Sequence, residues 1–379
     1  MNAKKAPSPR VKVALLLALF ALLAGCVTTA PKPTTVEKET VFYPLPPDPP
    51  RIQHLATFAS ARDLGAARSA LADFIAGEDK EGQELQRPYG TSVFQGKIYV
   101  ADNRLPGLAV FDLAAKQFSV VSGSGAGRMQ RPINVTIDSD GTKYVTDTGR
   151  NQVLVYDRNE RFVTAFGGKD EFKPVDTAIS GERLYLVDIE HHDVRVLDKR
   201  SGTLLFKFGA PGAAAGNLFQ PTNLALGPDG DVYVVETGGF RVSRFTPEGK
   251  FVRSYGEAGQ GPGQFARPKG IAIDRAGRMY VGDAAFQNVQ LFDSAGRVLM
   301  AFGQPKEGAG GALNLPAGIA IDYNNVELFR RYADPGFALE YLILVVSQFG
   351  PNKVDVFGFG KMRGVQYPPE AVPEPEPAR

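Results

Sequence analysis

Tryptophan is absent from this 379-residue chain, and cysteine and histidine are scarce, at one and three residues. A single thiol excludes an internal disulfide. The lack of Trp excludes cofactor pockets built on indole stacking and repeats whose signature contains that residue. There is no C-x-x-C-H, so the chain attaches no c-type haem. There is also no H-E-x-x-H, no phosphate-binding loop and no nucleophile motif. Charge of one sign is not in excess: 43 basic and 41 acidic side chains leave +2, and the few basic clusters lie outside the repeated region. That excludes the electrostatic footprint of a nucleic-acid binder. Helix-period segments are few.

Gly (42) and Pro (28) are plentiful, and 43% of residues are apolar. That mixture suits short strands, many tight turns and a sizeable core. The N-terminus is different. Lys4, Lys5, Arg10 and Lys12 precede an apolar run of eleven residues, 13–23. At ~1.5 Å per residue this is too short to span a ~30 Å hydrocarbon core, so it reads as a secretory signal over 1–25. Its end, Leu23-Ala24-Gly25-Cys26, resembles the lipobox of bacterial lipoproteins. The resemblance implies cleavage before Cys26 and lipidation of its thiol. Val27 follows, not the Asp that favours inner-membrane retention, so an outer-membrane lipoprotein is expected, facing the periplasm or the surface. The mature chain would carry 39 basic and 41 acidic side chains. Acyl chains, not basic attraction, would then hold it to the membrane. Residues 26–50 read as a Pro-rich tether in extended polyproline II, and 365–379 as a disordered Pro/Glu tail.

Between them lies a repeat. Prolines at 88, 132, 174, 221, 268 and 316 are spaced 44, 42, 47, 47 and 48 residues apart. Each opens a short apolar strand, clearest in 133–138 (INVTID), 270–274 (GIAID) and 318–322 (GIAID). A turn follows, then a second strand ending in an acid: Asp102, Asp147, Asp188, Glu236 and Asp283. Ten residues further on, four units carry another Asp (112, 157, 198 and 293). Most units close in aromatic-Gly, as at Phe166-Gly167 and Phe208-Gly209. A four-stranded sheet of this kind has two apolar faces that it cannot bury alone. Radial packing covers both, which predicts an all-β, six-bladed propeller.

These motifs resemble the NHL-repeat family, which forms six-bladed propellers, over residues 87–360. The first two parts of the family pattern, P-x-G-[IV]-A-[IV]-D and [IY]-Y-V-x-D, recur in most units. The third, N-H-R-[IV], is degraded, as in Arg150-Asn151-Gln152-Val153. The sixth unit lacks a fourth strand, whereas an orphan run, 51–60 (RIQHLATFAS), lies upstream. That run is expected to complete the last blade and remove an open edge. A helical insert is expected within 61–86, with Leu64, Ala67, Leu71 and Phe74 on one face. A second insert, 323–340, carries Phe329, Tyr332 and Phe337, which either form an exposed aromatic patch for a partner or pack back onto the propeller.

Candidate ligand residues come from the face where inner strands begin. Asn134, Asp176 and Asn223 follow their prolines by two, where the other blades have Gly. Arg150, Asp188, His191, His192 and Arg241 are expected nearby. Asp176 and Asn223 are the residues that would ligate a metal, calcium or zinc. No cofactor is otherwise expected. Asn and Asp at these positions also cap turns. The strand-ending acids recur too regularly for catalysis and read as acceptors for turn amides. The expectation is a monomeric, lipid-anchored scaffold that docks an envelope protein or a small ligand. The alternative is a metal-dependent hydrolase or lyase, lactonase-like or amidating-lyase-like, as on related six-bladed folds. Fold alone does not choose between them.

Overall fold

A computed structural model describes residues 40–65, 84–303 and 310–368. The expected signal segment, Cys26, Ala67, Leu71, Phe74 and most of the C-terminal tail lie outside the described residues. Six antiparallel sheets are present, five of four strands and one of five. Blade one runs Pro88–Phe94, Lys97–Asp102, Gly107–Asp112 and Gln117–Val121; the next four repeat that order. The inner strands touch in sequence and the sixth, Pro316–Asp322, returns to the first, so the ring closes on six.

The period-2 alternation of the strands explains the packing. In Lys97–Asp102, Ile98 and Val100 point towards blade six, whereas Tyr99 and Ala101 point towards blade two. Each blade does the same, so the core is six apolar seams between neighbouring sheets. The aromatic-Gly closures serve these seams. Gly167 and Gly256 have φ of 80° and 83°, a region that a side chain would strain. A Cβ on Gly167 would lie 2.2 Å from the Phe172 ring, and one on Gly256 would lie 2.3 Å from Phe265. The missing side chain therefore lets the following loop tuck an apolar plug under the blade.

The sixth blade closes as the repeat predicts. Ile52–Phe58 pairs antiparallel with Val354–Met362, from Ile52 opposite Phe359 to Phe58 opposite Val354. The Pro-rich run is not tether to its end, however. Phe42–Tyr43 adds a fifth strand outside Ile52–Phe58, and Tyr43 is buried between blades five and six. The tail also begins later than expected: the Tyr367 hydroxyl donates to the Pro50 carbonyl at 2.7 Å, and Arg51 stacks on its ring.

The aromatic patch of the second insert is corrected. Phe329 and Phe337 are only 2% and 3% exposed. Phe329, on the short helix Val326–Phe329, packs against Phe58 and Tyr332 at the seam between blades six and one. Phe337 packs against Phe42. Tyr332 is half-buried, with Arg331 over its ring. Burial of these rings stabilises the closure.

Candidate functional site

Antiparallel pairing places every blade-opening proline opposite the end of its blade's second strand. The strand-ending acids are therefore buried on the face where the inner strands begin. Asp102 accepts from the backbone N–H groups of Gln86 (2.6 Å), Arg87 (2.9 Å) and Arg104 (2.9 Å). Asp147 and Asp283 repeat the pattern. Each carboxylate ties two loops together, the architectural role expected from its recurrence. Asp112, Asp157, Asp198 and Asp293 cap the outer hairpins on the opposite face in the same way.

The eight candidate ligand residues separate into two groups. Asn134, Asp176 and Asn223 converge on the axis and are 8%, 6% and 3% exposed. Asn134 Nδ2 donates to Asp176 Oδ1 at 2.5 Å, and Asn223 Nδ2 donates to Asp176 Oδ2 at 3.1 Å. The backbone N–H groups of Thr177 and Leu224 complete the set, at 2.8 and 3.0 Å. Burial pushes the Asp176 carboxyl up to about 7, against the pull of these four donors. Of the other five residues, which stand apart from this trio, four anchor loops. Arg150 binds the carbonyls of Ala126 and Arg128. Arg241 pairs with Glu236 and binds the carbonyls of Ala213 and Asn217. Asp188 holds His191 at 2.7 Å and Arg195 at 3.1 Å. His192, at φ 54°, lies edge-on to Phe219.

The axial trio does not fit a metal as it is arranged. Asn134 Oδ1 accepts from the Val135 N–H at 2.8 Å, which turns its NH₂ towards Asp176. Both carboxylate oxygens already hold two N–H donors each. A cation here would meet donors, not lone pairs.

Residues that spacing did not single out complete the axis. Tyr89, one residue after its proline, crosses from blade one to blade four, and its hydroxyl donates to Asn223 Oδ1 at 3.1 Å. Lys269 holds the same position in blade five, with Nζ 3.0 Å from Gln348 Oε1 and 5.2 Å from the Tyr89 ring. The residues one after proline are Tyr89, Ile133, Val175, Thr222, Lys269 and Ala317. One aromatic and one base among six were the available signal. The trio borders a cavity of about 320 Å³ along the axis, also walled by residues such as Thr91, Thr136, Leu224, Ile271 and Ile319.

Gly90, in the neighbouring blade, gives Asn134 its room. A Cβ on Gly90 would lie 1.9 Å from Asn134 Oδ1. Gly90→Ala should therefore push Asn134 off Asp176 and lower stability by roughly 2–3 kcal/mol. In a double mutant with Asn134→Ala, the Gly90→Ala cost should shrink but not vanish, because the new Cβ would still lie 2.8 Å from Asn134 Cα. Additive losses in thermal unfolding would show that the two positions are not coupled.

No protein-family model matches the chain, and no curated protein matches it. Solved structures do. A gluconolactonase from Xanthomonas campestris is 15% identical over 84% of this chain and 97% of its own, with a TM-score of 0.54. Catalytically inactive virginiamycin B lyase from Staphylococcus aureus with quinupristin is 14% identical, covering 75% and 98%, at 0.51. A protein of unknown function from Bacteroides thetaiotaomicron is 17% identical, covering 82% and 76%, at 0.55. At these identities the likeness establishes the six-bladed propeller fold.

Proposed function

We propose that this chain is an NHL-type propeller lipoprotein, anchored to the outer membrane through Cys26, that acts as a binding module. Its ligand or partner docks on the face where the inner strands begin. One observation carries the choice of face. Among the described residues, the large aromatic side chains that stay exposed are Phe219 and Phe349, at 43% and 46%. Both lie on that face, in the loops before Pro221 and after Ser347. Exposed Arg131, Lys173 and Arg267 occupy the residue before proline on the same face. Aromatic and Arg side chains rigidly held on one face have the composition of binding hot spots. The hydrolase or lyase reading receives less support, because the axial side chains direct their donors at one another.

Two measurements test the proposal. Cys26→Ser should move the chain from the membrane to the soluble fraction of fractionated cells. A photo-crosslinking residue at 219 or 349 should trap a partner in intact cells. The same residue at Glu248, in an outer hairpin on the opposite face, should trap none. Adducts from 248 alone would reverse the assignment.

A further inference from the structure

Five blades bury an acid at the end of their second strand, and the sixth does not. Where the others have Asp or Glu, blade six has Ser347, opposite Pro316. Its hydroxyl accepts the Asn314 N–H at 3.0 Å, so the loop is still tied down but the charge is gone. The sector around blade six is therefore short of one carboxylate, and it gathers cations. Lys269 is 7% exposed. Its Nζ has the neutral Gln348 oxygen as hydrogen-bond partner and the Tyr89 ring beside it, and no carboxylate. Arg87 lies over the Phe349 ring at 5.1 Å, and its Nε is buried without a hydrogen-bond partner. Arg267 opens blade five beside them and is exposed. Arg87, Arg267 and Lys269 have no ion pair among the described residues. The nearest acids are occupied: Asp102 and Asp283 each hold backbone N–H groups, and Asp176 holds four donors.

We infer that the mouth of the axis between blades five and one is a site for a small oxyanion, a carboxylate or phosphate group, bound by Lys269, Arg87 and Arg267. The inference rests on the reading that this face takes the ligand, and it names the chemistry of that ligand. A buried ammonium without a counter-charge is costly, and an arriving anion supplies what the fold withholds. Burial, with Arg267 and Arg87 adding to it, lowers the Lys269 ammonium to about 8, as expected of a cation waiting for an anion. Arg presents a planar fork that matches either oxyanion, and Lys adds a point charge below it.

The test titrates inorganic phosphate and, separately, succinate into the mature chain extracted in detergent, at low ionic strength, by calorimetry. At least one of the two should bind. Lys269→Met and Arg267→Ser should each weaken it tenfold or more, whereas Arg297→Ser, in an outer hairpin on the opposite face, should not. Lys269→Met should melt no lower than the parent chain, because it removes an unpaired buried charge and keeps the stem. Should that variant fail to fold, the exposed Arg267→Ser carries the comparison. Binding of neither anion, or binding unchanged in both variants, overturns the inference. Crosslinks from 219 and 349 with no anion bound would leave the face assignment standing and remove the anion site alone. Absence of both would remove both.

Discussion

Truncating Asp176 to alanine is expected to destabilise the propeller by about 4 kcal/mol at pH 5, on the order of a 10 °C fall in Tm. The carboxyl is the hub of the axis. Its loss leaves the buried Asn134 and Asn223 amides and the Thr177 and Leu224 N–H groups without their acceptor. Three blades lose their common tie at once. The cost should also depend on pH in a defined sense. In the folded chain the carboxyl keeps its proton until about pH 7, while in the unfolded chain it releases it near 4. Between those values the folded state is the better proton binder. Stability from this group is therefore complete below the unfolded pKa and is lost as pH rises through the folded one. The gap between parent and Asp176→Ala should narrow from pH 5 to pH 8. A gap that widens over that range would show that the carboxylate, held by its four donors, is the stable folded form.

A chain lacking Thr40–Ser60 is expected not to fold. Those residues hold Tyr43, Ile52, Leu55 and Phe58, which are 7%, 0%, 2% and 2% exposed. They seal the seams on both sides of blade six. At roughly 2 kcal/mol for each large side chain, the loss is about 8 kcal/mol, comparable with the whole net stability of a domain. It also bares Val354–Met362 as a long edge open to other chains. Circular dichroism and gel filtration should report aggregated or unfolded material, and a separate peptide of residues 40–60 should restore the elution volume and spectrum of the full chain. The milder Phe58→Ala should cost about 3–5 kcal/mol, since Phe58 packs against Phe111 and Phe329. A folded, monomeric truncation would mean that the ring is latched elsewhere.

The same two sites show what could be read along the chain. The closing strand was legible because its apolar pattern matched that of other outer strands and because blade six was one strand short. Asn134, Asp176 and Asn223 were legible as a set because the repeat puts them in equivalent positions. Arg150, His191, His192 and Arg241 were legible as residues of the same face, but their partners there were not. The loop carbonyls that engage Arg150 and Arg241 come from connections whose paths spacing does not reveal, whereas His191 and Arg241 also meet Asp188 and Glu236, the strand-ending acids of their own units. Of the two readings of the aromatic insert, packing back onto the propeller is the one the rings follow, for a related reason. Phe329 and Phe337 look exposed in a long insertion, but the latch segment supplies Phe58 and Phe42 to cover them.

Local pattern alone determined six similar sheets, their order and their closure, because alternation, turn residues and aromatic-Gly ends act over a few residues at a time. Tertiary structure alone decided what stands at the axis. Tyr89 meets Asn223 across 134 residues of chain, and Asp176 joins partners 42 and 47 residues away. Lys269 lies beside a blade whose missing acid matters only once the ring is formed. The repeat gives side chains at equivalent positions a common spacing, but which of them touch, and how charge is distributed around the mouth, appears only when the blades stand together.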